Sequence, residues 1–345
     1  MNKKPLISIL TPVYNQRNYI EQTIRSVLNQ TYQDWEWIIL DDGSTDGTRD
    51  IIKSFNDGRI KYAYQEHAGL TYLTRTYNKA LTMCTGDLIA MLDHDDYWPD
   101  YKLEVQIKSF DNPNVILSYG VCCIVNQKGK EICYSSIPED PSVALNDPTG
   151  SSLKELLFAR YSFIPNLTVM LRRSALVTIG GFVEAQGLYH DFPTWLRLSL
   201  EGRFASIPRC LGFHRKHPSS ITVNSNKERN FNIRLQFLKD FIIQNAAKLD
   251  ALGLFFDLDK FEEHWDGIRK VHVPLIPYNN AMLMLSLGSF REARDELRKF
   301  LEKDPSMKSR FIYFLLNLSA LTRIDLVNPS AELKRKIEAF FQRNR

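Results

Sequence analysis

Along the first hundred residues the apolar positions switch repeatedly between two periods, and each switch marks out one unit of structure. Leu6 to Val13 (LISILTPV) is apolar and β-branched. Tyr14-Asn15-Gln16 ends that run, and from Tyr19 to Gln30 the residues Ile20, Ile24, Val27 and Leu28 recur at helical spacing. The same reading predicts a strand over Trp35 to Leu40, a helix over Thr48 to Phe55, a strand over Ile60 to Tyr64, a helix over Leu70 to Cys84 and a strand over Leu88 to Leu92. Strands alternating with helices build a doubly wound, mostly parallel sheet, which binds ligands beyond the carboxyl ends of its strands.

Further along, the pattern predicts a helix over Tyr101 to Phe110 and a strand over Val115 to Val125, followed by a turn at Gln127-Lys128-Gly129-Lys130. Ser135 to Ser152, rich in Pro, Ser and acidic residues, reads as a surface excursion. A strand over Asn166 to Arg172 and a helix over Ser174 to Ile179 come next. From Lys227 helical periodicity takes over, with segments at Phe231 to Lys248, Phe261 to Val271 and Asn279 to Leu301. Gly288-Ser289-Phe290 inside the last of these suggests one tetratricopeptide-type hairpin, too little for a repeat array, so the region is read as a helical appendage. Phe311 to Leu321 is the most apolar run and reads as a core helix. Leu333 to Phe341 sets Lys334, Arg335 and Lys336 beside Phe340 and Phe341, the composition of an interfacial helix.

Composition narrows the function. With 345 residues, 44% hydrophobic and 24% charged, the chain has the makeup of a globular protein of two or three modules. Its 44 basic and 40 acidic side chains are too balanced to argue for nucleic acid. Cys84, Cys122, Cys123, Cys133 and Cys210 are an odd set without Cys-x-x-Cys spacing, as expected of free thiols in a reducing compartment. Met1-Asn2-Lys3-Lys4-Pro5 leads into a strand without an apolar leader, and no run of about 18 apolar residues occurs, so a cytoplasmic protein is expected. A Gly-x-Gly-x-x-Gly after the first strand and a P-loop are both absent, which speaks against a nicotinamide dinucleotide site and against a P-loop nucleotide site.

Candidate chemistry gathers where strands end in acid. Leu88 to Leu92 runs into Asp93-His94-Asp95-Asp96. Two carboxylates about 4 Å apart repel by roughly 4 kcal/mol at the effective dielectric near a protein surface, so Asp93 and Asp95 suit a hard divalent cation, Mg²⁺ or Mn²⁺. A solvated acidic turn closed by Trp98-Pro99-Asp100 is the competing reading. At the end of the second strand, Asp41-Asp42-Gly43-Ser44 permits a tight turn and offers Asp42 as an acceptor, while Ser44, Thr45 or Asp46 can cap the following helix. Asp191 stands ahead of an amphipathic helix, where capping is the plain interpretation.

Taken in order and spacing, these segments resemble the family 2 glycosyltransferases of GT-A fold. The matching marks are Thr11-Pro12-Val13-Tyr14-Asn15, Ser26-Val27-Leu28-Asn29-Gln30-Thr31, Asp41-Asp42-Gly43-Ser44-Thr45-Asp46-Gly47-Thr48, Asn78-Lys79-Ala80-Leu81, Thr85-Gly86-Asp87 and Asp93-His94-Asp95-Asp96 with Trp98-Pro99. The resemblance runs from about Pro5 to Thr222 and implies inverting transfer of a sugar from a nucleotide-diphosphate donor, most simply a UDP-sugar, to a hydroxyl-bearing glycan or lipid-linked acceptor. It assigns Thr11, Pro12, Tyr14, Asn15, Asp42, Arg75, Asp93, His94 and Arg215 to the nucleotide-sugar, and Asp93, Asp95 and His217 to Mn²⁺ or Mg²⁺. Asp191 becomes the general base. The family usually has Glu before that base, where this chain has His190, and the segment before Asn78 departs from the usual small-residue run ending in Arg-Asn. The expected domains are a nucleotide-sugar-binding half over 1–105 and an acceptor-binding half over 106–226, implied by the resemblance, and a helical region over 227–345, read from periodicity, whose last helices are expected to make peripheral contact at the inner membrane face. Two rivals remain at this point: a non-catalytic scaffold of the same fold, and a sugar nucleotidyltransferase, for which the Gly-rich basic loop after Leu10 is missing.

Overall fold

The computed structural model describes residues 4–135, 151–158, 163–185, 190–221, 226–302 and 313. The packing divides the chain into two compact units, one of Met1–Arg215 with Asn230–Leu258, the other of Lys216–Arg229 with Asp259–Arg345.

The first unit is built on an eight-stranded sheet. β1 (Ile7–Val13), β2 (Trp35–Asp41), β3 (Ile60–Tyr64) and β4 (Leu88–Met91) are parallel to their neighbours, in the order β3-β2-β1-β4. Beyond β4 the sheet turns antiparallel through β7 (Met170–Arg172), β5 (Val115–Asn126) and β6 (Glu131–Tyr134), and β8 (Arg203–Lys216) pairs with β5. Every residue of β1, β2 and β4 is buried, as expected of strands covered on both faces. Ile20, Ile24 and Val27 of α1 (Ile20–Leu28) and Ile52 of α2 (Thr48–Ser54) join Ile7, Ile9, Trp37, Ile39 and Ala90 in one core. After β3 the chain returns through α3 (Leu73–Thr82) to lay β4 on the other side of β1. The strand order therefore reverses beside β1, and the carboxyl ends of β1, β2 and β4 open on that switch point.

At the opposite end of the strands a buried carboxylate fastens the sheet. Glu36, 5% exposed, accepts hydrogen bonds from Ser8 Oγ on β1, from Thr85 N–H and Oγ1 before β4, and from Lys61 Nζ on β3. Burial alone would raise its pKa, but the bonds from Lys61, Ser8 and Thr85 outweigh it and hold the carboxyl down at about 2. Gly86 is required beside it, because a Cβ there would stand 2.6 Å from Leu6 O and 2.7 Å from Ser8 N. Glu36→Ala is expected to cost about 3 kcal/mol by orphaning these donors. A folded pKa below the unfolded 4.5 means that Glu36 stabilises fully above pH 4.5 and that its contribution is lost as pH falls toward 2. Melting temperatures of parent and variant should therefore converge over that window.

Several expected boundaries shift. Asn166 to Arg172 is not one strand: the Pro165 carbonyl accepts both Thr168 N–H and Oγ1, closing a tight turn at Asn166–Thr168 before β7 begins. The helix expected from Leu70 starts as a single 3₁₀ turn, Leu70–Tyr72. Leu211 to Lys216, which includes Arg215, belongs to β8. The five cysteines are free thiols. The expected excursion at 136–150, the apolar run at 311–321 apart from Tyr313, and the basic segment at 333–341 lie outside the described residues.

In the second unit, α11 (Ile276–Ser286) and α12 (Phe290–Leu301) form a helical hairpin whose core is Ala281, Leu285, Ala293, Leu297 and Phe300, with Tyr313 packed against it. The hairpin expected within Asn279 to Leu301 turns at Gly288, whose φ of 78° suits glycine. No helix among the described residues is long and apolar enough to cross a membrane.

Candidate active site

Three groups of side chains meet the chemistry expected of the strand ends. The first follows β1 and β2. Thr11 is fully buried: its hydroxyl donates to Leu92 O at 2.7 Å and accepts from Trp37 Nε1 at 2.9 Å, so it ties three strands together instead of facing a ligand. Asn15 is the one described non-glycine residue with positive φ, 50°, and its Oδ1 accepts the Thr45 N–H. Asp42, buried at the end of β2, is encircled by the segment 65–69. Its Oδ1 accepts from Gln65 Nε2 at 2.6 Å and Ala68 N–H at 3.0 Å, and its Oδ2 accepts from Gly69 N–H at 3.2 Å. His67 Nδ1 lies 3.0 Å from the same Oδ2, and its ring stacks on exposed Tyr14 with centroids 3.9 Å apart. Gly43, at φ +83°, has no room for a Cβ, which would stand 2.8 Å from His67 N.

The acid turn after β4 forms the second group. Asp96 N–H closes the turn on Asp93 O, and His94 Nδ1 bonds Pro12 O at 2.8 Å, locking the ends of β4 and β1 together. Half-buried Asp93 receives Tyr77 OH at 2.7 Å on Oδ1 and Asn166 Nδ2 at 3.1 Å on both oxygens. Asp96 is fully buried against His214 Nδ1 and the Arg215 N–H. Burial pushes its carboxyl up to about 6, against the pull of His214 and with the charges of Asp95 and Asp93 adding to the rise. Arg215, 2% exposed, spends its guanidinium on Asp95 O, Gln127 O and Gln22 Oε1, between the rings of Tyr19 and Tyr97. It braces the turn from beneath.

These residues fit a divalent cation. The turn concentrates three carboxylates, with the charges of Asp95 and Asp93 adding to the rise that burial gives Asp96, and Asp93 is oriented by Tyr77 and Asn166. Mg²⁺ typically takes one or two carboxylates and completes its shell with water and substrate phosphates. No three His, Cys, Asp or Glu side chains among the described residues converge on one point. His217 belongs to the second unit, where its N–H donates to Ser220 Oγ and its Nδ1 lies 2.8 Å from Ser219 Oγ. Arg75, on α3, is exposed and paired with Glu184 Oε1 at 2.9 Å.

The third group opens α7 (Asp191–Leu198). Asp191 is the first helical residue and not its cap; His190 holds the capping position and makes no capping bond with its side chain. Burial raises the Asp191 pKa above the ordinary 3.8, only partly offset by its own and the Phe192 N–H and by Arg234. Arg234 lies with its guanidinium 3.9 Å from the Phe192 ring centre, and burial lowers it to about 10. A half-buried carboxylate with a raised pKa is a competent proton acceptor near neutral pH. Tyr77, Asn166, His67 and Arg234 were not foreseen as site residues. Tyr77 sits at an apolar position of α3, and isolated polar residues elsewhere carry no spacing that marks them.

Comparison with known proteins gives the family. Residues 8–179 match the family described as glycosyl transferase family 2. The chain is 36% identical to TuaG of Bacillus subtilis, a glycosyltransferase assigned to teichuronic acid biosynthesis, over 66% of this chain and 85% of that one. It is 31% identical to the UDP-Glc:alpha-D-GlcNAc-diphosphoundecaprenol beta-1,3-glucosyltransferase WfgD of Escherichia coli, over 71% of this chain and 89% of the relative. Among solved structures, S. aureus TarS 1-349 in complex with UDP-GlcNAc superposes with a TM-score of 0.56 at 16% identity, covering 92% of this chain and 88% of that one, which shows the shared fold. The chain thus belongs to glycosyl transferase family 2 and is a glycosyltransferase.

Proposed function

We propose that the protein transfers a sugar from a UDP-sugar to a hydroxyl of a lipid-linked glycan, with inversion at the anomeric carbon and with Mg²⁺ or Mn²⁺ held by Asp93 and Asp95. The observation that carries the reading is the acid turn at the switch point, where Asp93, Asp95 and Asp96 stand together and the charges of Asp95 and Asp93 add to the rise that burial gives Asp96. A divalent ion bound there would neutralise charge on the departing diphosphate as a Lewis acid. Asp191 takes the proton of the acceptor hydroxyl; the acceptor oxygen bonds to the anomeric carbon as the bond to the diphosphate breaks, and nucleoside diphosphate leaves. Donor and acceptor classes are supported by WfgD, whose name specifies UDP-Glc and a diphosphoundecaprenol-linked sugar. Such an acceptor is presented at a membrane surface, and the basic, Phe-containing segment at 333–341 is the candidate contact.

The test is release of nucleoside diphosphate from a panel of UDP- and GDP-sugars with an undecaprenyl-diphosphate-linked sugar, with Mn²⁺ or Mg²⁺ and after chelation. UDP release that requires both acceptor and cation is expected. Release of pyrophosphate from a nucleoside triphosphate and a sugar phosphate, with no turnover of any donor, would sink the proposal.

A further inference from the structure

Beside the acid turn, two buried side chains carry polar atoms that the protein leaves unused. His190 is 4% exposed, with its ring centre 3.8 Å from that of Tyr77 and its edge against Phe182 at 5.3 Å, yet neither ring nitrogen has a hydrogen-bond partner among the described residues. Asn166 commits its amide nitrogen to Asp93, while its Oδ1 is buried and equally without a partner. Tyr77 links the two, stacking on His190 while its hydroxyl bonds Asp93 at 2.7 Å. Buried polar atoms are normally satisfied, so three such atoms on side chains that flank Tyr77 and Asp93 point to a group that arrives from outside. Burial lowers the His190 pKa to about 4, which keeps the ring neutral at pH 7, with one nitrogen a donor and the other an acceptor.

We infer that His190 and Asn166 Oδ1 read neighbouring hydroxyls of the transferred sugar, and so take part in choosing which donor the enzyme accepts. Asn166 Oδ1 accepts from one hydroxyl, and His190 exchanges a hydrogen bond with the next. The transferred sugar is favoured over an acceptor sugar because Asn166 and Tyr77 hold Asp93 with their other atoms. Asp93 is the proposed partner of the diphosphate end, to which the transferred sugar is bonded directly. This inference rests on the donor reading proposed above. A neutral ring at His190 offers one donor and one acceptor, which suits uncharged hydroxyls.

His190→Phe is the informative change, since it keeps a ring against Tyr77 and Phe182 and deletes both nitrogens. Isothermal titration of parent and variant with UDP- and GDP-sugars, each against its own nucleoside diphosphate, is done with Mn²⁺ and without any acceptor, so that any loss comes from the donor sugar. We expect an unchanged or higher melting temperature, unchanged affinity for the nucleoside diphosphate, and affinity for the preferred sugar nucleotide lower by about three- to tenfold. His190→Gln should recover part of that loss. An intact variant that binds sugar nucleotides as tightly as the parent overturns the inference and leaves the donor reading standing; a parent that binds no nucleotide of the panel overturns both.

Discussion

Asp191→Asn is expected to reduce glycosyl transfer by roughly 10²–10⁴ while donor affinity and fold persist. Asparagine preserves the size of the side chain and an oxygen acceptor for the N–H groups of the first turn of α7, and it removes the ability to take the acceptor's proton. Because the folded pKa is raised above 3.8, the stability tied to protonated Asp191 is present at low pH and is lost as pH rises through the folded value. At neutral pH the buried ion is thus a cost that asparagine does not carry, set against the attraction to Arg234. The melting temperature should therefore move by less than about 4 °C. In the parent the rate should rise with pH through a step lying above the ordinary carboxylate range, and in the variant that step should vanish. Near-normal transfer by Asp191→Asn, measured with a competent acceptor, would remove Asp191 from the chemistry and leave its carboxylate as a helix-terminus charge.

The second large effect is expected at the acid turn, where Asp95→Asn should abolish cation-dependent donor turnover and leave the sheet intact. Asp95 contributes its backbone carbonyl to Arg215 and its charge to the raised Asp96, so exchanging only the charge spares the first and relieves the second. Without added metal the variant should be as stable as the parent or slightly more so. Added Mn²⁺ should raise the parent's melting temperature and not the variant's. Turnover by Asp95→Asn within a few-fold of the parent, with the same cation dependence, would transfer the cation to other ligands.

Much of this architecture was readable from periodicity. The alternation of apolar runs and helical spacing located all four parallel strands, and both acid clusters fell at their carboxyl ends, because a strand buried on both faces has few places to put a carboxylate except where it stops. What periodicity does not encode is the direction of a side chain once the chain has folded. Thr11 and Arg215 lie in segments that match the family, yet one is spent inside the sheet and the other beneath the turn. Arg75 likewise occupies a matching segment and pairs outward with Glu184. In the antiparallel half the strand over Val115 to Val125 was legible, but β7 was blurred because it has only three residues, too few to show a period, and because Pro165 closes a turn on a stretch that reads as apolar strand. Tyr77 and Asn166 acquire a role only through contact with Asp93, 16 and 73 residues away along the chain.

The grip of Arg215 on the acid turn has a consequence for the order of folding. The bonds from its N–H to Asp96 and from its Nε to Asp95 O span 119 and 120 residues. Closures of that length form late, since the entropy lost in drawing distant segments together precedes any reward from the contact. During synthesis the Asp-His-Asp-Asp segment emerges long before β8, and through that interval it is a motif without its scaffold. A chain halted ahead of Arg203 would therefore keep the letters of the motif while lacking the hand that bends it, and cation-dependent donor binding should first arise only once the last strand has entered the sheet.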